Sequence, residues 1–113
     1  MNILERLRNI LDMQSVFLDV LPEQPNEALV LAVYSSEVQR FFDTSTPVYR
    51  VQVRSRAPTA ERAYARAQEA MDKLDRHHDE HIAVLATSSV MGIGQDDKGR
   101  RECTVNFSVT MKE

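Results

Sequence analysis

From Glu102 to Met111 apolar and polar residues alternate without a slip, with Cys103, Val105, Phe107, Val109 and Met111 on one side and Thr104, Asn106, Ser108 and Thr110 on the other. Successive side chains of a strand point to opposite faces, so this stretch specifies a strand with one face in a core and one face polar. Val48 to Arg54 repeats the pattern: Tyr49, Val51 and Val53 oppose Arg50, Gln52 and Arg54. A chain with two half-buried strands must cover one sheet face and leave the other wetter.

Helices supply the cover. Ala60, Ala63, Tyr64, Ala67, Ala70, Met71 and Leu74 keep three-four spacing, which predicts one long helix over Thr59 to Arg76. Thr59 is placed to cap its first turn, Glu61 suits the positive dipole end, and Glu69 with Lys73 and Asp72 with Arg76 form favourable pairs. Ile3, Leu4, Leu7, Ile10 and Leu11 predict a short amphipathic helix within Asn2 to Met13. Ser15 to Leu21 suits a strand or extended arm, and Pro22 and Pro25 break the chain after it. Ala28 to Tyr34 is a continuous apolar run, expected as a strand covered on both faces, although a buried helical turn reads similarly. Ser35 to Pro47 mixes Ser, Thr, Asp and Pro and is expected as a loop or extended flap. Ile82 to Ser88 reads as a strand, and Gly92, Gly94 and Asp96 to Gly99 supply turn chemistry before the closing strand. With 113 residues and no repeat or linker, the whole chain, 1–113, reads as one α+β domain: an antiparallel sheet against one long helix, with a short N-terminal helix.

Composition excludes several functions. The net charge of −3 is wrong for a dedicated duplex binder, which carries surplus Lys and Arg. No apolar run is long enough to span a bilayer, and the charged N-terminal segment does not read as a signal peptide, so a soluble protein made in a reducing cytoplasm is expected. The one cysteine, Cys103, falls in the inward register of a strand, which favours core packing over nucleophilic chemistry. His77 and His81 stand four apart but lack a convincing fourth ligand, and imidazoles suit a helix C-terminus. Gly92-Ile93-Gly94 lacks the third glycine of a phosphate loop, and Asp96-Asp97 beside Lys98-Gly99 reads as a turn. No catalytic residue, metal site or cofactor is therefore expected.

Two features remain. Phe41 and Phe42 are adjacent, so in extended chain they point to opposite faces and both rarely enter one core; one is expected to remain for a partner. Glu37, Arg40 and Asp43 would form a polar rim beside them. Arg50, Arg54 and Arg56 form the local basic feature. Arg50 and Arg54 share a face and are expected to reach a phosphate, Glu61, or a carboxylate of a neighbouring subunit.

The segment Tyr49-Arg50-Val51-Gln52-Val53-Arg54-Ser55-Arg56 leads into a helix at Thr59, and Gly92-Ile93-Gly94-Gln95-Asp96-Asp97-Lys98-Gly99-Arg100-Arg101 precedes Val105-Asn106-Phe107-Ser108-Val109. In these segments and in its order of elements the chain resembles the phage tail-terminator and minor capsid protein family over most of its length. The resemblance implies a structural virion protein without catalytic residues, assembled as a ring, usually of six subunits, between tail tube and head connector. DNA would meet it only through the ring lumen. A head-completion (stopper or adaptor) protein of the same junction is the alternative, ahead of a small α+β enzyme or nucleic-acid-binding module.

Overall fold

The structure is a computed structural model and describes residues 2–40 and 45–112. Its first element, α1 (Ile3–Leu11), is set by a reciprocal cap: the Asn2 side chain accepts from the Glu5 backbone N–H at 2.9 Å, and the Glu5 carboxylate accepts from the Asn2 N–H. Such a box satisfies two donors that a helix start otherwise leaves open. Leu4, Leu7 and Leu11 point into the core, and Asp12 ends the helix in a left-handed conformation.

Five strands follow around a second helix, and a sixth closes the chain: β1 (Val16–Leu18), β2 (Ala28–Arg40), β3 (Ser45–Ala57), α2 (Ala60–Leu74), β4 (Ile82–Ala86), β5 (Met91–Gln95) and β6 (Arg101–Met111). The sheet order is β1-β2-β3-β6-β4, and β5 also pairs with β6, beyond the stretch that β4 occupies. Every pairing is antiparallel except β1 with β2, where Val16 to Leu18 run parallel to Leu29 to Leu31. An α+β fold with a mostly antiparallel sheet thus matches the reading from alternation. The alternation of β6 is realised from Val105 to Thr110, with Phe107 opposite Val51 and Val105 opposite Val53 beneath the helices, but Thr104, expected on the outward side, is buried beside Cys103.

Several boundaries differ from the expectation. The second helix has fifteen residues and ends at Leu74, so it is of ordinary length and not one long helix over Thr59 to Arg76. Thr59 caps it as expected, accepting from the Arg62 N–H, and Glu69 pairs with Lys73. Arg76, however, lies beyond the helix at φ 65°, and Asp72 instead accepts from Gln68. Its buried stripe is Ala63, Ala67, Ala70 and Leu74; Ala60 and Tyr64 face outward. Small residues on that stripe let α2 lie close over β3 and β6, where Ala57, Ala63, Ala67 and Cys103 form a small cluster.

The other differences concern strands. Gly92 and Gly94 belong to β5, and only the following segment turns, with Gly99 at φ +78°. The apolar run from Ala28 is covered through Leu31, but Val33 and Tyr34 are exposed. Of the two readings for Ser35 to Pro47, loop or extended flap, the described residues take the extended one: Ser35 to Arg40 and Ser45 to Pro47 pair in register from Ser35 opposite Arg50 to Arg40 opposite Ser45. Their regular backbone pairing stabilises an extended ribbon despite the turn-rich composition.

Candidate assembly interface

The β2–β3 ribbon is the feature that most distinguishes this molecule. β6 meets β3 only from Val48 onward, so Ser45 to Pro47 pair with β2 alone and the ribbon continues past the end of the sheet as an arm. The molecule measures 51 × 22 × 22 Å. Between Val33 and Ser35 the register shifts, leaving Tyr34 as the extra residue of a bulge. Bulges bend a strand and sharpen its twist, so Tyr34 sits at the joint between body and arm. There Arg50 donates to Glu37 at 2.8 Å across the two strands.

The expected interface residues divide into four groups. Glu37 and Arg40 lie on the arm in β2, with Arg50 at its base in β3. Phe41, Phe42 and Asp43, between the two paired strands, lie outside the described residues. Arg54 is lower on β3, 40% exposed, with its Nε 3.8 Å from Glu102, too far for a hydrogen bond. Arg56 is withdrawn into the fold: its guanidinium donates to the carbonyls of Glu23, Pro25 and Asn26, and the residue is 3% exposed. Burial first, and then the nearby charge of Arg100, push Arg56 below the usual arginine range. The acidic partners within the chain are thus Glu37 for Arg50 and Glu102 for Arg54, not Glu61.

Reasoning from sequence missed the apolar exposure that runs along β2 from the body, through the joint, onto the arm. Val33, Tyr34 and Val38 are exposed along β2. The signal was the apolar run that outlasts the part of β2 flanked by β1, but only the sheet order reveals where that flank stops.

A second polar assembly fixes the lower end of the sheet. Arg100, nearly buried, donates from Nε to Asp96 at 2.7 Å and from its terminal nitrogens to Glu23. Lys98 also pairs with the Glu23 carboxylate. The hydrogen bond from Lys98, with its charge, holds Glu23 below the ordinary carboxylate range. For Asp96 burial pulls upward, yet hydrogen bonds from the Arg100 backbone and side chain outweigh it, and its pKa is lowered. Asp96 and Asp97 therefore serve a turn.

The other chemical candidates have local explanations. α2 ends before the histidines, so His77 and His81 are not one helical turn apart. His77 bonds to Asp79, whose other oxygen accepts from the N–H groups of His81 and Ile82. These bonds, the one from His77 largest, hold the Asp79 carboxyl far below the ordinary range. Among the described residues no group of three or more His, Cys, Asp or Glu side chains is arranged to hold a metal. Cys103 is buried, and burial pushes its thiol upward, away from the reactive thiolate. An open cleft of about 290 Å³ lies between Arg6, Asn9, Ile10 and Asp79. Among the described residues no helix is long and apolar enough to cross a membrane.

A sequence profile described as bacteriophage tail terminator protein matches residues 6–113. The chain belongs to the bacteriophage tail terminator family. It is thereby a structural protein of virions, and the head-tail junction is where such a protein belongs. Among solved structures the fold is similar to a chain described as "Virion of native gene transfer agent (GTA) particle", with a TM-score of 0.63, 12% identity, and coverage of 95% of this chain and 84% of that one. No curated protein matches.

Proposed function

We propose that this tail terminator acts without catalysis, as one subunit of a closed ring of six that caps the finished tail tube and presents a surface to the head connector. It is made in the host bacterial cytoplasm and carries DNA only through the ring lumen. The observation that supports this reading most is the arm. The ribbon exposes Tyr34 at the joint and Val38 where it has left the body, and such apolar surface is what subunit contacts bury. Glu37 and Arg40 form its polar rim and set orientation, Asp43 is expected from the sequence to add to them, and Arg50 holds the arm's base through Glu37. Arg54 is available to a neighbour's carboxylate; Arg56 contributes to the subunit's own packing. The family profile favours the terminator over a head-completion role.

The double substitution Phe41→Ser and Phe42→Ser tests the arm. The expected outcome is a folded monomer, with unchanged circular dichroism and thermal midpoint, that fails to form rings or to join tails to heads. A double variant that unfolds assigns both rings to the subunit core, and one that assembles normally removes this segment from the interface.

A further inference from the structure

The turn that follows β5 builds a cationic cradle at the lower end of the sheet. One oxygen of the Asp96 carboxylate accepts from the backbone N–H groups of Lys98 and Arg100, and the other accepts from the Arg100 Nε at 2.7 Å. Gly99, at φ +78°, closes this turn, so Lys98 and Arg100 are delivered to one place. Arg100 is 6% exposed, and its Nη1 donates to the Glu23 carbonyl at 2.6 Å. Its guanidinium is therefore oriented by the subunit itself, whatever meets the remaining nitrogen, Nη2.

What meets it is the subunit's own Glu23. One oxygen of that carboxylate accepts from Arg100 Nη2 at 3.1 Å and pairs with the Lys98 ammonium. The backbone and the side chain of Glu23 are held differently. Arg56 and Arg100 both donate to its carbonyl, whereas its side chain is 60% exposed and that of Lys98 54%. Exposed ion pairs are weakly held, so the carboxylate can swing away while its backbone and the cradle stay in place. Charge points the same way. Arg54, Arg56, Lys98 and Arg100 face Glu23, Asp96 and Glu102, four cations against three carboxylates, and the exposed Asp97 and Arg101 alongside offset each other. From this cradle we infer that Lys98 and Arg100 receive a carboxylate from an acidic side chain of a neighbouring protein, and that Glu23 keeps its place in the free subunit.

A carboxylate suits the cradle better than nucleic acid does. Duplex binding draws on many phosphate contacts, whereas here one surplus charge stands on a chain of net charge −3. A planar guanidinium and a planar carboxylate also match as partners. Because Glu23 is tethered, it competes at an effective concentration of about millimolar or more. A free monocarboxylate below that range leaves it in place; one carried on a docked surface is tethered too, and displaces it. The inference rests on the assembly role, but not on the arm or on the number of subunits.

Glu23→Ala and Lys98→Met break the same ion pair and so test it. If the pair is only a bridge within the subunit, the two variants behave alike. If it is a receptor with a stand-in ligand, they part: Glu23→Ala joins tails to heads at lower protein concentration than wild type, and Lys98→Met, alone or with Glu23→Ala, joins several-fold less. Circular dichroism should show all three folded. Variants that fall together, or that all join like wild type, overturn the inference. Nuclear magnetic resonance at constant ionic strength reads the cradle alone. Acetate is expected to shift the Arg100 Nε–H of Glu23→Ala saturably, and to leave wild type and the double variant unmoved over the same range. No saturable shift in Glu23→Ala overturns the receptor, and a shift by dimethyl phosphate as large as that by acetate overturns the choice of carboxylate. Wild type that joins no tails to heads removes the proposed function, while the titration still decides the cradle.

Discussion

Arg56 illustrates how one residue type carries different duties along one strand. Arg50 and Arg54 share its sheet face and remain partly exposed, but the segment around Pro25 covers Arg56 and supplies it with three backbone carbonyls. Arg56→Met keeps much of the packing volume and removes every donor, so those carbonyls lose their partner. A loss of about 1–3 kcal/mol in stability by urea denaturation is expected, without any direct effect on assembly surfaces. Asp79 provides a pH test. Its folded pKa lies below the unfolded value, so its stabilisation is present above the ordinary aspartate range, near pH 4, and is lost as pH falls through the folded value. Wild type should therefore be more stable than Asp79→Asn at neutral pH, and the two thermal midpoints should converge in acid. A constant difference down to the lowest accessible pH contradicts this role.

At the scale of elements, α2 depends on small side chains. Ala63 and Ala67 are fully buried against Ala57 and Cys103, leaving no room for larger groups. Ala67→Leu should cost about 1–3 kcal/mol through overpacking, measurable by denaturation, whereas Tyr64→Leu on the exposed side should change little. Much of this was legible in the sequence: the inward set of β6, the cap at Thr59 and the alternation of β3 follow from period and residue chemistry alone. The end of α2 was not, because Asp72 and Arg76 fit helical spacing while Asp75 instead turns to accept the Ala86 N–H at 2.8 Å, a contact eleven residues away. The arm was obscured for a related reason. Ser35 to Pro47 has turn-like composition, and the pairing of Ser35 to Arg40 with Ser45 to Arg50, visible only in the folded chain, makes those residues a ribbon. Of the eight residues expected at the interface, Glu37, Arg40 and Arg50 lie on or at the arm. Arg56 diverges because its burial comes from a segment thirty residues distant.

For the whole molecule, shape and edges matter more than any side chain. A single layer of sheet with two helices on one face gives a modest core, and the arm adds surface without adding much core. Subunit contacts bind only the folded form and so add to its stability by mass action; the thermal midpoint should rise with protein concentration as rings form. Acid should weaken the subunit in the same way as at Asp79, since Glu27, held by hydrogen bonds from Arg62, and Glu23 also have lowered pKa values. The central claim, a ring of this chain at the head-tail junction, is tested most directly by electron cryomicroscopy of the particle that carries it. A closed ring of six copies between tube and connector, each arm reaching its neighbour, is the expected result. One isolated copy at the junction, or a ring whose arms contact no other subunit, would contradict it.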